Sequence, residues 1–337
     1  MYWRDKMKTV KWGVLGTATI AKKSVIPGIM ESSLGELHGI ASRTQEAAEK
    51  VATAFSIPNA YGSYEALLAD LEIDAVYIPL PNHLHKEWVQ KAAAAKKHIL
   101  CEKPLALDAK EVEDMMKACE EANVLLVEAF MYRHQLRYKQ ILTDIENGEI
   151  GELRGIRAAF SFNNSGDYQN FRMKRENGGG SLFDVGVYPL SLARMIFGEE
   201  PNAVTTHSFT PATHDYVDMV TAGLVEFPNG KFLTFDCGMW SAFRNEVEIL
   251  GTDGRIEIAN AFTGGSEGYD LFKGDEVIHK EVNDTNHYAK QADQFVRAVW
   301  GEEAPLFSSE DSLKNQQLLD ACMKSQQSQT RISLGGH

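Results

Sequence analysis

The chain has 337 residues, which at roughly 150 residues per domain suggests two domains. Lys plus Arg total 34 against 47 Asp plus Glu, a net charge of −13 that argues against a protein held on nucleic acid or anionic lipid by a basic field. With 44% hydrophobic and 24% charged residues, the composition is that of a soluble globular protein and not a disordered one. Residues 1–10 are polar and show no apolar secretory core, and no stretch approaches the ~18 apolar residues of a membrane span. Cys101, Cys119, Cys237 and Cys322 form no C-x-x-C pair and read as reduced thiols, so a cytoplasmic location is expected.

Residues 10–16 read as a strand. Residues 19–31 read as a helix broken or kinked at Pro27, because proline lacks the donor and clashes one turn back. Strands at 37–41, 75–80, 99–102 and 124–127 alternate with helices at 44–55, 83–95 and 108–122. Asp108, with Glu111 three residues on, offers the last helix a capping start. Such alternation implies right-handed βαβ units and a parallel sheet covered on both faces. Ligands bind at the carboxyl ends of such strands, so chemistry is expected in the loops after Leu15, Ala41, Ile78 and Leu100.

The pattern then changes. A helix at 136–146 is followed by strands at 153–162, 218–227, 231–239, 246–250 and 255–259. Residues 181–197 read as a helix after a glycine run, and two more helices lie at 287–300 and 309–325. Pro228-Asn229-Gly230 and Gly251-Thr252-Asp253-Gly254 join strand pairs, the first a turn by its composition. This half is expected to be an α+β domain with a mostly antiparallel sheet and helices on one face. An open apolar sheet face invites self-association, so a homodimer or homotetramer is expected.

Gly16-Thr17-Ala18-Thr19-Ile20-Ala21 closes the first strand and opens the first helix, matching G-x-G-x-x-A with alanine in the second slot. The first glycine permits a tight turn, and the helix start offers N–H groups to a pyrophosphate. The chain therefore divides into a dinucleotide-binding Rossmann domain over 1–127 and a substrate-binding and oligomerisation domain over 128–337. The end of the second strand reads Ala41-Ser42-Arg43, where an NAD site usually carries a carboxylate for the ribose hydroxyls. Ser42 can donate to a 2′-phosphate and Arg43 can pair with it, so NADP(H) is favoured over NAD(H).

Lys103 follows another strand end and is placed to face a bound nicotinamide. Glu102-Lys103-Pro104, preceded by Leu80-Pro81-Asn82 and His85, resembles the signature of the Gfo/Idh/MocA oxidoreductases. So do Trp12-Gly13-Val14-Leu15-Gly16-Thr17 and the run from Gly178-Gly179-Gly180-Ser181 through Asp184 to Tyr188. The resemblance spans about residues 10–330. Tyr188 and Glu128-Ala129-Phe130-Met131-Tyr132-Arg133 narrow it to the branch holding glucose–fructose oxidoreductase, dimeric dihydrodiol dehydrogenase and NADP-dependent D-xylose dehydrogenase. Ala18 departs from the commonest glycine pattern of the family.

The resemblance implies hydride transfer between nicotinamide and a sugar or polyol-like substrate, by an aldose dehydrogenase or a keto-sugar reductase. Tyr188 would exchange a proton with the substrate oxygen, Lys103 would lower the phenol's pKa, and Asp184, four residues before Tyr188, would fix a substrate hydroxyl. Cofactor contacts are expected from Gly16, Thr17, Ala18, Thr19, Ile20, Ser42, Arg43, Leu80, Pro81, Asn82, His85, Glu102 and Lys103. Arg172 could contact substrate or cofactor. His83 and His85 are spaced H-x-H, but no third ligand supports a metal, and His85 is expected to orient its loop. A trans-dihydrodiol dehydrogenase and a non-catalytic NADP-binding regulator on the same fold are the alternatives. Retention of Lys103, Asp184 and Tyr188 together favours the enzyme.

Overall fold

The computed structural model describes residues 9–264 and 268–335, so most of the polar opening read above lies outside the described residues. The chain forms two compact units. The first holds the chain up to Ala106, Lys110–His134 and Thr285–Ser312; the second holds Leu107–Ala109, Gln135–Asp284 and the chain from Leu313 onward. Among the described residues no helix is long and apolar enough to cross a membrane.

The first unit alternates β1 (Val10–Leu15), α1 (Ile26–Glu31), β2 (Gly35–Ala41), α2 (Gln45–Phe55), β3 (Asn59–Tyr61), α3 (Tyr64–Leu68), β4 (Ala75–Ile78), α4 (His85–Ala94), β5 (His98–Cys101), α5 (Ala109–Ala122) and β6 (Leu126–Glu128). Its six strands pair in the order β3-β2-β1-β4-β5-β6, all parallel. This is the doubly wound arrangement expected from the alternation. Val14, Leu15, Ile40, Val76, Ile78 and Ile99 are fully buried, as strands covered on both faces require. Thr44 and Ser63 cap α2 and α3, each accepting the N–H three residues on. The three-residue β3 and five-residue α3 escape sequence reading because neither is long enough to show a period.

Helix α1 corrects one expectation. The kink expected at Pro27 is absorbed one turn earlier, where Ala21–Val25 widen so that Ile26 N–H donates to the carbonyl of Ala21. An i→i+5 turn just before the ring relieves the clash that a regular turn would impose.

The second unit contains α6 (Leu136–Glu146), β7 (Leu153–Asn163), α7 (Val187–Phe197), β8 (Ala203–Phe209), β9 (Val220–Glu226), β10 (Phe232–Gly238), β11 (Trp240–Gly251), β12 (Arg255–Ala259), β13 (Tyr269–Lys273) and β14 (Glu276–Lys280). Helix α8 (His287–Val299) belongs to the first unit, and the chain returns through α9 (Ser309–Ser328) to β15 (Ile332–Ser333). The nine strands run β14-β13-β12-β11-β7-β10-β9-β8-β15, antiparallel except for β7 against β10. Helix α9 seals one end of the sheet, with Thr206 donating its hydroxyl to Cys322 O (2.7 Å) and its N–H to Ser325 Oγ (3.0 Å).

The expectation of an open apolar face on this sheet is corrected. Alternation buries Ile156, Ala158, Phe160, Val247 and Ile249, so Arg157, Glu246 and Glu248 project from the opposite face. Arg157 pairs with Glu248 across the β7–β11 register (3.3 Å), Arg255 reaches Glu248 (3.1 Å) and Glu257 (3.0 Å), and Arg244 pairs with Asp236. Opposite charges pair across the middle of this face, while Phe209 and Leu224 stand exposed on it at β8 and β9.

Candidate active site

In the first unit, parallel pairing brings four loops to the carboxyl edge of one sheet. Gly16 ends β1 with φ +129°, a left-handed conformation that L side chains rarely adopt, and a Cβ there would lie 3.3 Å from Leu80 Cδ2. Its N–H donates to Ala41 O (3.0 Å), which binds the turn to the end of β2. The helix start after it is partly open to solvent, and Lys22 N–H is the donor to Ala18 O (3.2 Å). The N–H groups before Lys22 therefore have no place in the ladder, as a pyrophosphate cradle needs. The residues fit a dinucleotide at this edge. Ser42 is buried with its N–H on Tyr61 O (3.1 Å), while Arg43 is exposed. Tyr64 is a residue that sequence reading missed. Burial raises its phenol pKa, and the positive charge of Arg43 opposes the rise, which places both beside the glycine turn.

Leu80, Pro81 and Asn82 follow β4, and Glu102-Lys103-Pro104 follows β5, with a cis bond between Lys103 and Pro104. His85 ties the two loops together. Its Nε2 lies 2.8 Å from Leu80 O and its Nδ1 3.0 Å from Pro104 O. Burial pushes its pKa down to about 4, so at neutral pH the ring has one N–H and donates to one of these carbonyls. Below the turn, the phenol of Tyr77 donates to Glu102 Oε1 (2.6 Å) and Lys103 N–H donates to Glu102 Oε2 (3.2 Å). Tyr77 is fully buried and its pKa is raised by burial and by the Glu102 charge, so it stays a donor. The strand alternation of Ala75–Ile78 gave no sign that this tyrosine serves the lysine turn.

Glu128, next to Cys101 in the β5–β6 register, is 3% exposed and accepts Leu105 N–H (3.0 Å). Burial pushes its carboxyl up to about 8. The first N–H of α5, at Ala109, is taken by Asp320 (2.8 Å). The group of described residues whose donor atoms could surround an ion is His38, Asp70 and Glu72. Asp70 there already accepts from Tyr61 and contacts His38, and Lys11 neutralises Glu72 (3.0 Å).

In the second unit, Asp184 and Tyr188 stand on the helix that follows the glycine run. The turn Leu182–Gly186, which contains Asp184, is widened before α7 begins. The helix start is fixed by a buried carboxylate, Asp218, whose Oδ2 accepts Ser181 Oγ (2.7 Å), Leu182 N–H (2.7 Å) and Thr221 Oγ1 (3.0 Å). Burial pushes Asp218 up to about 6, against these bonds. Gly180 has φ +114°, and a Cβ there would lie 2.0 Å from Asp218 Oδ1. Tyr188 is 5% exposed and packs against Phe160 (5.4 Å) and Phe262 (5.5 Å). Arg172 Nε lies 2.8 Å from Asp184 Oδ2. Phe160, Phe262 and Asp218 were invisible in sequence because they come from strands and loops distant from the helix.

A parallel sheet with a glycine turn at its switch point, followed by an α+β unit bearing an Asp and a Tyr on one helix start, defines a two-domain dinucleotide-binding oxidoreductase. Residues 10–130 match the model for "Oxidoreductase family, NAD-binding Rossmann fold" and residues 138–257 the GFO/IDH/MocA C-terminal domain. The D-xylose 1-dehydrogenase (NADP(+)) 2 of Haloferax volcanii is 37% identical over 96% of this chain and 99% of its own. The aldose–aldose oxidoreductase of Caulobacter crescentus, solved with glycerol, superposes with a TM-score of 0.91 at 25% identity, over 97% of this chain and 100% of that one. A 3-ketoreductase of Actinomadura kijaniata, solved with NADP and TDP-benzene, gives 0.89 at 31% identity, over 94% and 98%. The chain belongs to the Gfo/Idh/MocA oxidoreductase family.

Glu128 yields a stability prediction. Its carboxyl is raised on folding from the ordinary 4.5 to about 8, so its contribution is complete below 4.5 and is lost as the pH climbs through about 8. Relative to Glu128→Gln, the native protein should lose up to about 1.4 kcal/mol per pH unit between roughly pH 5 and 8. Urea unfolding of both proteins across that range measures it, and a constant difference would contradict it.

Proposed function

We propose that the chain is an NADP(H)-dependent oxidoreductase that moves a hydride between nicotinamide and a sugar or polyol-like substrate. The observation that carries this reading is the carboxyl edge of the parallel sheet, where the Gly16 turn, Ser42–Arg43 and the Glu102–Lys103 turn come together. Arg43 stands where a 2′-phosphate would fall, beside Ser42 and with no carboxylate at the strand end. The relatives' printed activities, on D-xylose with NADP(+) and as a 3-ketoreductase bound to NADP, agree with this cofactor and this substrate class. Gly16, Thr17, Ala18, Thr19 and Ile20 would cradle the pyrophosphate. Leu80, Pro81, Asn82, His85, Glu102 and Lys103 would border the nicotinamide end.

The bound nicotinamide supplies hydride exchange at a carbinol or carbonyl carbon. The chain's own groups handle the proton. A phenol has an ordinary pKa near 10, too high for a base at neutral pH, and the Lys103 ammonium would favour its ionised form. Tyr188 then takes the proton from the substrate hydroxyl in oxidation and returns it in reduction, so one pair serves both directions. Asp184 accepts a second substrate hydroxyl and fixes the sugar's orientation. Phe160 and Phe262 brace the Tyr188 ring in the second unit.

We also propose that the charged face of the nine-stranded sheet pairs with its counterpart in a second copy. Alternating Arg and Glu or Asp across neighbouring strands lets the face match its own image about a two-fold axis.

Absorbance of reduced nicotinamide with a panel of aldoses, keto-sugars and a trans-dihydrodiol tests the reaction. Turnover is expected with NADP(H), and Tyr188→Phe and Lys103→Ala should each lower kcat by about 100-fold or more. Tight NADP(H) binding without turnover of any substrate would favour a regulator, and near-normal turnover by Tyr188→Phe would remove its role. Arg43→Ala should weaken NADPH about tenfold or more and leave NADH nearly unchanged. Equal loss for both, by fluorescence titration, would remove the phosphate contact. Light scattering at micromolar concentration should give a dimer that weakens with salt, and a monomer would overturn the interface.

A further inference from the structure

Arg172 lies in the segment 164–180, which joins β7 to the helix bearing Asp184 and Tyr188. This segment is tied down along its length. Asn164 N–H donates to Met239 O (3.1 Å), and His214 Nε2 lies 2.9 Å from Ser165 O. His214 is 2% exposed and its ring contacts Tyr168 (4.9 Å) and Trp240 (5.0 Å). Further on, Arg175 N–H donates to Asp215 Oδ2 (2.8 Å). Arg172 itself is held by its main chain, its N–H on Asn170 Oδ1 (3.1 Å) and its carbonyl accepting Gly180 N–H (3.0 Å).

With the backbone fixed at both sides, only the side chain remains to be placed. The guanidinium lies over the Phe171 ring (4.6 Å), and its Nε meets Asp184 Oδ2 at 2.8 Å. The Asp184 side chain is 13% exposed, and a carboxylate so nearly buried is costly without a cation. Arg172 is thus fastened both to the loop and, through Gly180, to the start of the helix that carries its partner.

From this we infer that Arg172 is the positioning residue of the active site: it holds the Asp184 carboxylate and fixes its rotamer for the substrate hydroxyl. The inference assigns Arg172 to the substrate side, not to the cofactor, and it rests on the proposed role of Asp184. Loss of the guanidinium should loosen substrate binding and leave the nucleotide untouched.

The test combines structure and kinetics on the full chain. In a crystal structure of Arg172→Ala, the Asp184 carboxylate should leave its present rotamer. Retention of that rotamer overturns the inference whatever the activity. With D-xylose and NADP⁺, Arg172→Ala should raise KM for the sugar by about tenfold or more. Kd for NADPH, from fluorescence quenching, should change by less than about twofold. Arg172→Lys should recover part of the loss, and millimolar guanidinium should restore part of the alanine variant's activity at an unchanged melting temperature. An unchanged KM, or a rise in NADPH Kd that matches it, overturns the inference. Failure of the unmodified enzyme on every sugar would instead count against the proposed function, and the Asp184 rotamer would still decide the positioning role.

Discussion

Everything proposed for the first unit depends on one constraint, the parallel pairing of β1 with both β2 and β4. Parallel strands end together. Leu15 is paired with Ala41, and Ile78 with Cys101, so Gly16, Ser42, Pro79 and Glu102 must emerge at the same edge. The sequence scatters these residues over almost ninety positions, and the sheet register alone collects them. His85 then sits between the Leu80 and Pro104 carbonyls and donates to one of them. A neutral, fully buried imidazole suits that task, because it fills space and orients two loops without adding charge.

The second unit solves a different problem, that of presenting polar groups on a helix that is otherwise buried. Helix α7 is covered on nearly every side, and Tyr188 enters the aromatic packing of Phe160 and Phe262. Its start is anchored by Asp218, a carboxylate that pays for its burial with three hydrogen bonds. Asp184 is balanced by a guanidinium delivered from a separately pinned loop. The helix start is thus held by one carboxylate from a distant loop, Asp218, and carries another, Asp184, that faces a guanidinium.

Much of this was legible in the sequence. Five of the six strands of the parallel sheet followed from strand–helix alternation, with the edge strand β3 missed, and the glycine turn and Glu102-Lys103-Pro104 stood out by type and position. What escaped was set by long-range geometry. Tyr77 looked like one more apolar strand residue, yet it anchors Glu102. Phe160 and Phe262 lie about a hundred residues apart and stack at 5.4 Å. Strands β8, β13 and β14 carry weak alternation and are held by their neighbours' ladders, so propensity alone did not mark them. The apolar sheet face expected for the second unit failed for a related reason. Counting apolar strand residues does not tell which face they occupy, and here the register turns them inward and the arginines outward.

The central proposal is that Tyr188 exchanges a proton with the substrate oxygen with help from Lys103. A crystal structure of the protein with NADP⁺ and a bound sugar tests it most directly. Lys103 Nζ and Tyr188 Oη should both lie within hydrogen-bond reach of one substrate hydroxyl, next to the nicotinamide ring. If the two groups instead open into separate crevices, with the sugar bound against only one of them, the proposed chemistry is wrong.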